Sequence, residues 1–351
     1  MKKIKIFLGG YVNFPNAQNV NCDNIARYLD KGKFEVHTMY TNKIPIDKKV
    51  YRDQGIQLHR LIHHRFIWYW SKYLTMLFGN YDIYYLPKAE KTDRVFAKRH
   101  KKKICISSVE GVITEHTNNT EEFKSYYTKD MTCFFSISNC IANSVKKYWG
   151  VESTVIPLGT VSVKQKAQNK NAVKKIVWVG NIKENKRPQY FIQIAKKFSY
   201  LQFKMIGDGD MLKEMKDVCL RENIGNIKFY GRIPNNQVYQ EMEKCDLLLM
   251  TSEYEGLPKV IQEAAQMKLP CIYINENYTV DFISNDINGF AVPNLEAMQG
   301  KIQFLVENPD VYQKMSKAAY ESIQPYTWEK VIKQYEKYFE KVYVDKKIRK
   351  K

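Results

Sequence analysis

In the stretch SEYEGLPKVIQEAA, positions 252–265, two carboxylates, Glu255 and Glu263, stand with seven residues between them around a Gly-Leu-Pro turn. The apolar run CDLLLM precedes them, so the pattern reads as a strand, a tight loop and a helix whose first turn lies near Pro258 to Val260. Proline is tolerated there because the first helical amide has no intrahelical partner. Free amides and the positive end of the helix dipole suit a phosphate or a polarised sugar hydroxyl. Glu255 falls just before the helix and Glu263 about one and a half turns into it. A carboxylate that accepts two hydrogen bonds can clamp a vicinal diol such as ribose. Acids that merely favour a helix dipole would look the same.

Other residues carry chemistry of their own. In KENKR, positions 183–187, Lys183, Lys186 and Arg187 follow a strand and form either an exposed basic loop or an anion site. In GDGD, Asp208 and Asp210 form an Asp-x-Asp pair, and two carboxylates suit a hard divalent cation. Their strand-to-helix glycine loop also lets Asp210 act as a helix cap. Glu110, after the strand ISSV, could orient or deprotonate a hydroxyl, or be a loop acid without chemistry, and His116 is open to the same two readings. His63 and His64 are adjacent and would diverge on a helix, a poor metal site without a third ligand. The seven cysteines are scattered, odd in number and without a Cys-x-x-Cys pair, which argues against a disulfide framework or zinc site and for a reducing compartment.

The elements that must position these groups follow from hydrophobic patterning. IKIFLGG, FEVHTMY, YDIYYLP, KKICISS, CFFSIS and STVIPLG read as strands alternating with helical segments. After the polar break VKQKAQNKNAVK the pattern restarts with KIVWVGN, FKMIGDGD, NIKFYGRI, CDLLLMTS, PCIYIN and GFAV. At 351 residues, two α/β domains with parallel sheets are expected, with ligands in the cleft between them at the carboxyl ends of the strands. The opening MKKIKIFLGG reads as a first strand and not as a signal peptide, and no window approaches the ~18 apolar residues of a spanning helix. A cytoplasmic chain is expected.

A formal net charge of +19 favours an anionic partner. The lysines are dispersed and no nucleic-acid-recognition signature appears, so nucleic acid is the remote alternative. In HHRFIWYWSKYLTMLF, Phe66, Trp70, Tyr73 and Leu77 recur at helical spacing, with Arg65 and Lys72 as cations. Such a helix either lies in a membrane interface or packs its aromatics on its own sheet. The net charge favours an anionic membrane surface.

The stretch SEYEGLPKVIQEAAQMKLPCIYI with NGFAV resembles the Glu-x7-Glu donor-site motif of the retaining family 4 glycosyltransferases, which have the GT-B fold of two Rossmann-like domains facing a central cleft. VGNIKENKRPQYFIQIAKKF is similar to their phosphate-binding loop and helix, MIGDGD to their Gly-x-Gly loop, and IKFYGRI to their loop near the nucleotide base. The resemblance covers nearly all of the second half and is looser in the first. It implies an acceptor-binding domain over 1–160, rejoined by a closing helix near 328–345, and a donor-binding domain over 161–327. Glu263 would hold the ribose hydroxyls of a nucleotide-diphosphate-sugar, and Glu255 would contact the transferred sugar or its leaving phosphate. Gly256 and the backbone of Leu257, Pro258, Lys259 and Val260 would line the sugar and diphosphate pocket. Lys186, helped by Arg187, would neutralise the diphosphate. Gly180 and Gly207 belong to the glycine loops, Arg232 to the loop near the base. Gly9 and Gly10 would let the first domain approach the donor.

The family usually has arginine where this chain has Asn181, which removes a bidentate phosphate clamp. The implied reaction transfers a hexose-type sugar to an acceptor hydroxyl with retention, without cofactor or metal. The acceptor would be a lipid-linked glycan in capsule or O-antigen synthesis at the inner face of the membrane. A GT-B epimerase and a catalytically silent scaffold are the alternatives on the same fold.

Overall fold

Short apolar runs separated by helices build two sheets, each wholly parallel. The computed structural model describes residues 2–14, 16–62, 67–162 and 171–348. The chain divides into two units, Met1–Gly159 with Trp328–Lys351, and Thr160–Thr327. His63, His64, Arg65 and Phe66, and most of the polar break after position 162, lie outside the described residues.

The first unit contains strands β1 (Ile4–Tyr11), β2 (Phe34–Thr41), β3 (Ile56–Leu61), β4 (Ile83–Tyr85), β5 (Ile104–Val109), β6 (Cys133–Ser136) and β7 (Thr154–Val155). Helices α1 (Ala17–Tyr28), α2 (Lys48–Asp53), α3 (Trp68–Phe78), α4 (Lys91–Arg99), α5 (Glu121–Ser125) and α6 (Asn139–Trp149) connect them. The spatial order is β3-β2-β1-β4-β5-β6-β7. The edge strand β3 was hidden in the sequence because its centre is polar, with His59 and Arg60. Gly9 and Gly10 lie inside β1, where the pairing with β2 shifts register between Leu8 and Tyr11. A Cβ at Gly10 would collide with Cys22 of α1, and one at Gly9 would press on Leu86 and the Tyr85 carbonyl. Packing within this unit therefore already calls for glycine at position 10 and leaves little room for a side chain at position 9.

Helix α3 turns a different face inward from the one its aromatic spacing suggests. Lys72 and Tyr73 are buried, and Leu77 is half-buried. The Lys72 ammonium, with no exposed surface, sits 2.7 Å from Asp93 and 3.1 Å from Glu90. A buried cation is tolerated only when paired in this way. Lys72 is thus part of an internal ion cluster and not of a basic surface.

The second unit contains β8 (Lys175–Val179), β9 (Gln202–Ile206), β10 (Ile227–Gly231), β11 (Leu247–Met250), β12 (Cys271–Ile274) and β13 (Gly289–Val292). Its helices are α7 (Pro188–Lys197), α8 (Leu212–Arg221), α9 (Asn235–Glu243), α10 (Lys259–Gln266), α11 (Leu295–Glu307) and α12 (Pro309–Ile323). The order β10-β9-β8-β11-β12-β13 reverses direction between β8 and β11, a switch point that gathers loops at the carboxyl edge.

The last helix, α13 (Trp328–Ile348), packs on the first unit. Tyr335 and Phe339 are fully buried, and Phe339 meets Tyr85 and Phe34 with ring centroids 5.9 and 6.4 Å apart. Tyr335 meets Phe135 edge-on at 5.5 Å, and Glu336 caps the chain from the other side by accepting the Asp30 amide at 2.9 Å. Phe339→Ala removes an aromatic side chain that touches two strands. It is expected to destabilise the protein by about 3–5 kcal/mol, read as a lowered urea midpoint.

Candidate functional site

Three loops at the carboxyl edge of the second sheet are held together backbone to backbone. The Gly180 amide donates to Ile206, the Ile182 amide to Asp208 at 2.9 Å, and the Gly207 amide to Gly231 at 3.0 Å. Gly207 and Gly209 have φ of +143° and +156°. A Cβ on the first would overlap the Gly180 carbonyl, and one on the second the backbone of Ile182. Only glycine fits a contact between main chains this close. In this loop the Asp208 carboxylate accepts the Gly209 amide at 2.9 Å. Asp210 does not cap α8, which begins after Met211 without a side-chain cap. The reading of Asp210 as a cap is therefore corrected: the local turn satisfies its amides through Asp208 and backbone carbonyls.

From Gly180 the chain passes an exposed Asn181 and a single 3-10 turn over Glu184–Lys186. Arg187 takes a left-handed φ of +46°, and Pro188 starts α7. This turn is pinned to the loop after β11. Thr251 donates its hydroxyl to the Lys186 carbonyl at 2.6 Å, the indole of Trp178 donates to Thr251 at 3.0 Å, and the Glu253 amide donates to Asn185 at 2.9 Å. In consequence the Lys186 ammonium meets the Glu255 carboxylate, although the two are 69 residues apart. Ser252 donates to the same Glu255 oxygen at 2.7 Å. The Lys186 and Glu255 side chains keep 18% and 15% of their exposure, so the pair remains open to a ligand. The Arg187 guanidinium donates to Glu276 at 2.6 Å and lies 3.8 Å from Glu253.

Helix α10 begins at Lys259 with Pro258 in the cap position and no side-chain cap. The first-turn amides after Gly256 and Leu257 therefore lie at the positive end of the helix. Glu263, on the second turn of α10, does not join the Lys186–Glu255 pair. It accepts the Tyr239 hydroxyl of α9 at 3.1 Å. Burial raises the Glu263 carboxyl above the ordinary range, against the hydrogen bond from Tyr239 and the charge of Lys259. Arg232 is exposed just beyond β10, after Gly231 at φ +66°. Ser252, Thr251 and Glu276 escaped the sequence reading because hydroxyls and a lone acid carry no spacing signal. Tyr239 lies in a helix without a motif.

In the first unit, Glu110 follows β5 and is fixed from two sides. Ser108 donates to one carboxylate oxygen at 2.9 Å, and Asn21 of α1 donates to the other at 3.2 Å. Tyr85 and Ser108 share a further hydrogen bond of 2.8 Å, so Glu110 ends a buried polar chain. His116 lies in an exposed loop.

Residues 162–322 match the family described as Glycosyl transferases group 1. Over the whole chain, HepE of Anabaena solved with UDP-glucose superposes with a TM-score of 0.80 at 15% identity, covering 96% of this chain and 100% of that one. The fold is GT-B. An uncharacterized glycosyltransferase, MJ1178 of Methanocaldococcus jannaschii, is 22% identical over 68% of both chains. A UDP-Gal:alpha-D-GlcNAc-diphosphoundecaprenol alpha-1,3-galactosyltransferase of Escherichia coli is 28% identical over 32% of this chain and 31% of its own length. These likenesses support a glycosyltransferase role.

Burial holds an acid here that ionises at a cost to the fold. A raised carboxyl binds its proton more tightly when folded, so its contribution to stability is lost as pH rises from about 4.5 through the raised value. Glu263→Gln keeps an oxygen for Tyr239 and removes the charge. It is expected to raise the melting temperature of the unliganded protein at pH 7, with the gain vanishing below about pH 4.5, as a calorimetric pH series would show.

Proposed function

We propose that the chain is a retaining, metal-independent glycosyltransferase that moves a hexose-type sugar from a nucleotide-diphosphate-sugar to a hydroxyl of a glycan. The observation that carries this reading is the meeting of Lys186 and Glu255 beside the interlocked glycine loops and the amino end of α10. Cleavage of a glycosyl–phosphate bond builds negative charge on the departing diphosphate. Pre-placed cations and amides stabilise that charge most where water is scarce. A lysine has three N–H donors, so Lys186 can hold Glu255 and still reach a phosphate oxygen.

In this reading Lys186 and Arg187 take the diphosphate, with the amides of Leu257, Pro258's neighbours Lys259 and Val260, and the glycine backbone at Gly180, Gly207 and Gly256. Glu255 holds the sugar. Glu263 accepts the two ribose hydroxyls, which would repay the burial of its charge with hydrogen bonds. Arg232 lies near the base. Gly9 and Gly10 serve the approach of the first domain to the donor. Glu110, oriented by Ser108 and Asn21, receives or positions the acceptor hydroxyl. Departure and attack on the same face, assisted by the leaving phosphate, give retention. Asn181, in place of a guanidinium, leaves the phosphate charge chiefly to Lys186.

The HepE structures hold UDP, and the Escherichia coli relative is named for a UDP-sugar and a diphosphoundecaprenol acceptor. They support a uridine nucleotide and a lipid-linked glycan as the first donor and acceptor to try. Relatives named for O-antigen synthesis support a surface polysaccharide, capsule or O-antigen, as the product class.

Purified protein screened against nucleotide-sugars should show a raised melting temperature with one nucleotide and slow release of its sugar. Glu263→Ala is expected to weaken that nucleotide roughly ten- to hundredfold, the worth of a charge-assisted hydrogen bond. Lys186→Ala should depress turnover more than binding, because its charge counts most as the diphosphate departs. Parental rates in both variants would overturn the assignment.

A further inference from the structure

We propose that the first unit docks on an anionic phospholipid surface through the exposed face of α3 and a lysine-lined cavity at the carboxyl end of that helix. The inference is independent of the reaction proposed above and uses none of its residues.

The apolar part is a stripe. Ile67, Trp70, Leu74 and Phe78 recur at spacings of three, four and four, which place them on one side of a helix. They are 46%, 53%, 42% and 77% exposed, while Lys72, Tyr73 and Met76 of the same helix are buried. Large side chains left to water in a continuous row mark a docking surface, unlike scattered single exposures. Tryptophan and phenylalanine suit the boundary between headgroups and acyl chains. Among the described residues no helix is long and apolar enough to cross a membrane, so insertion would be shallow.

The charged part begins two residues beyond Phe78. A cavity of about 190 Å³ is lined by Asn80, Asp82, Lys102, Lys103, Lys346 and Lys347, together with Tyr81, Ile104 and Tyr343. Four of these lining residues are lysines and one is an aspartate. Asp82 already accepts the Lys5 amide at 2.9 Å, and Lys103 donates to Asn80 at 3.3 Å. Lys347 stands 4.2 Å from the Tyr343 ring centre. None of the four lysines has a carboxylate within 4.0 Å among the described residues. Helix α13, which supplies Lys346 and Lys347, also leaves Val344 and Ile348 half or more exposed.

This surface is distinct from the candidate site. Asn80, Tyr81 and Asp82 precede β4 and Lys102 and Lys103 precede β5, which sets the cavity at the amino edge of the first sheet, whereas Glu110 follows β5 at its carboxyl edge. Six residues of extended strand separate the two edges by about 20 Å.

Charge decides the occupant. A phosphodiester headgroup layer offers negative charge to the lysines and hydrocarbon to the stripe at once. A second copy of the chain would bring two sets of four lysines into one interface, which repels. Nucleic acid would meet the lysines but leave Trp70, Leu74 and Phe78 in water.

The test is flotation of the full chain with vesicles of phosphatidylcholine alone or mixed with phosphatidylglycerol, at low and high salt. The protein should float only with the anionic vesicles and release as salt rises. Trp70→Ser with Phe78→Ser, both at exposed positions, should lower binding roughly tenfold or more while leaving the melting curve unchanged. Replacing the four lysines by glutamine should lower it on the order of a hundredfold and remove the salt dependence. Equal binding to neutral and anionic vesicles, or parental binding by both variants, would overturn the proposal. So would a parent that elutes as a dimer, becomes monomeric in the apolar variant and ignores vesicles.

Discussion

The second unit is organised around main chains that touch where no side chain can stand between them. The Gly180 carbonyl fills the space that a Cβ on Gly207 would need, and the Ile182 backbone fills the space beside Gly209. Hydrogen bonds from backbone amides to carbonyls then lace the turns after β8, β9 and β10 into one surface. Because that surface is backbone, it offers fixed dipoles whose positions do not depend on rotamers. The left-handed Arg187 is a consequence. A non-glycine residue there costs roughly 1–2 kcal/mol. The start of α7 at Pro188 and the pairing of the guanidinium with Glu276 offset that strain.

Charge is balanced locally across this surface. Lys186 is neutralised by Glu255 and Arg187 by Glu276, so neither cation stands alone in a half-buried loop. Glu263 accepts its hydrogen bond from a neutral phenol, that of Tyr239, and burial works against its charge. The first unit resolves a similar problem at greater depth. Lys72 is wholly enclosed and survives as a cation because Asp93 and Glu90 enclose it as well.

Much of this architecture is legible in the sequence, and the losses have physical causes. All six strands of the second sheet appear as apolar runs because both faces of a parallel sheet are covered. Edge strand β3 has a partner on one side only, so its polar centre broke the pattern. The residues of the Lys186–Glu255 pair were visible as charges on two loops, but their meeting depends on Thr251 and Glu253 pinning one loop to the other. The burial of Lys72 is not legible in α3 alone, because a lysine looks like a surface cation until Asp93, on the next helix, is brought beside it. Asp210 looked like a cap, but α8 begins one residue later, after Met211, without a side-chain cap.

The route of the chain has a consequence for how the gene could be cut. The polypeptide enters the second unit at Thr160 and leaves at Thr327, and these two residues form a parallel bridge, with the Thr160 amide donating to Tyr326 at 2.9 Å. Entry and exit share one doorway. The second unit is thus an insert with adjoining ends, and a short peptide across that doorway would leave the seven-stranded sheet and its last helix as a continuous chain.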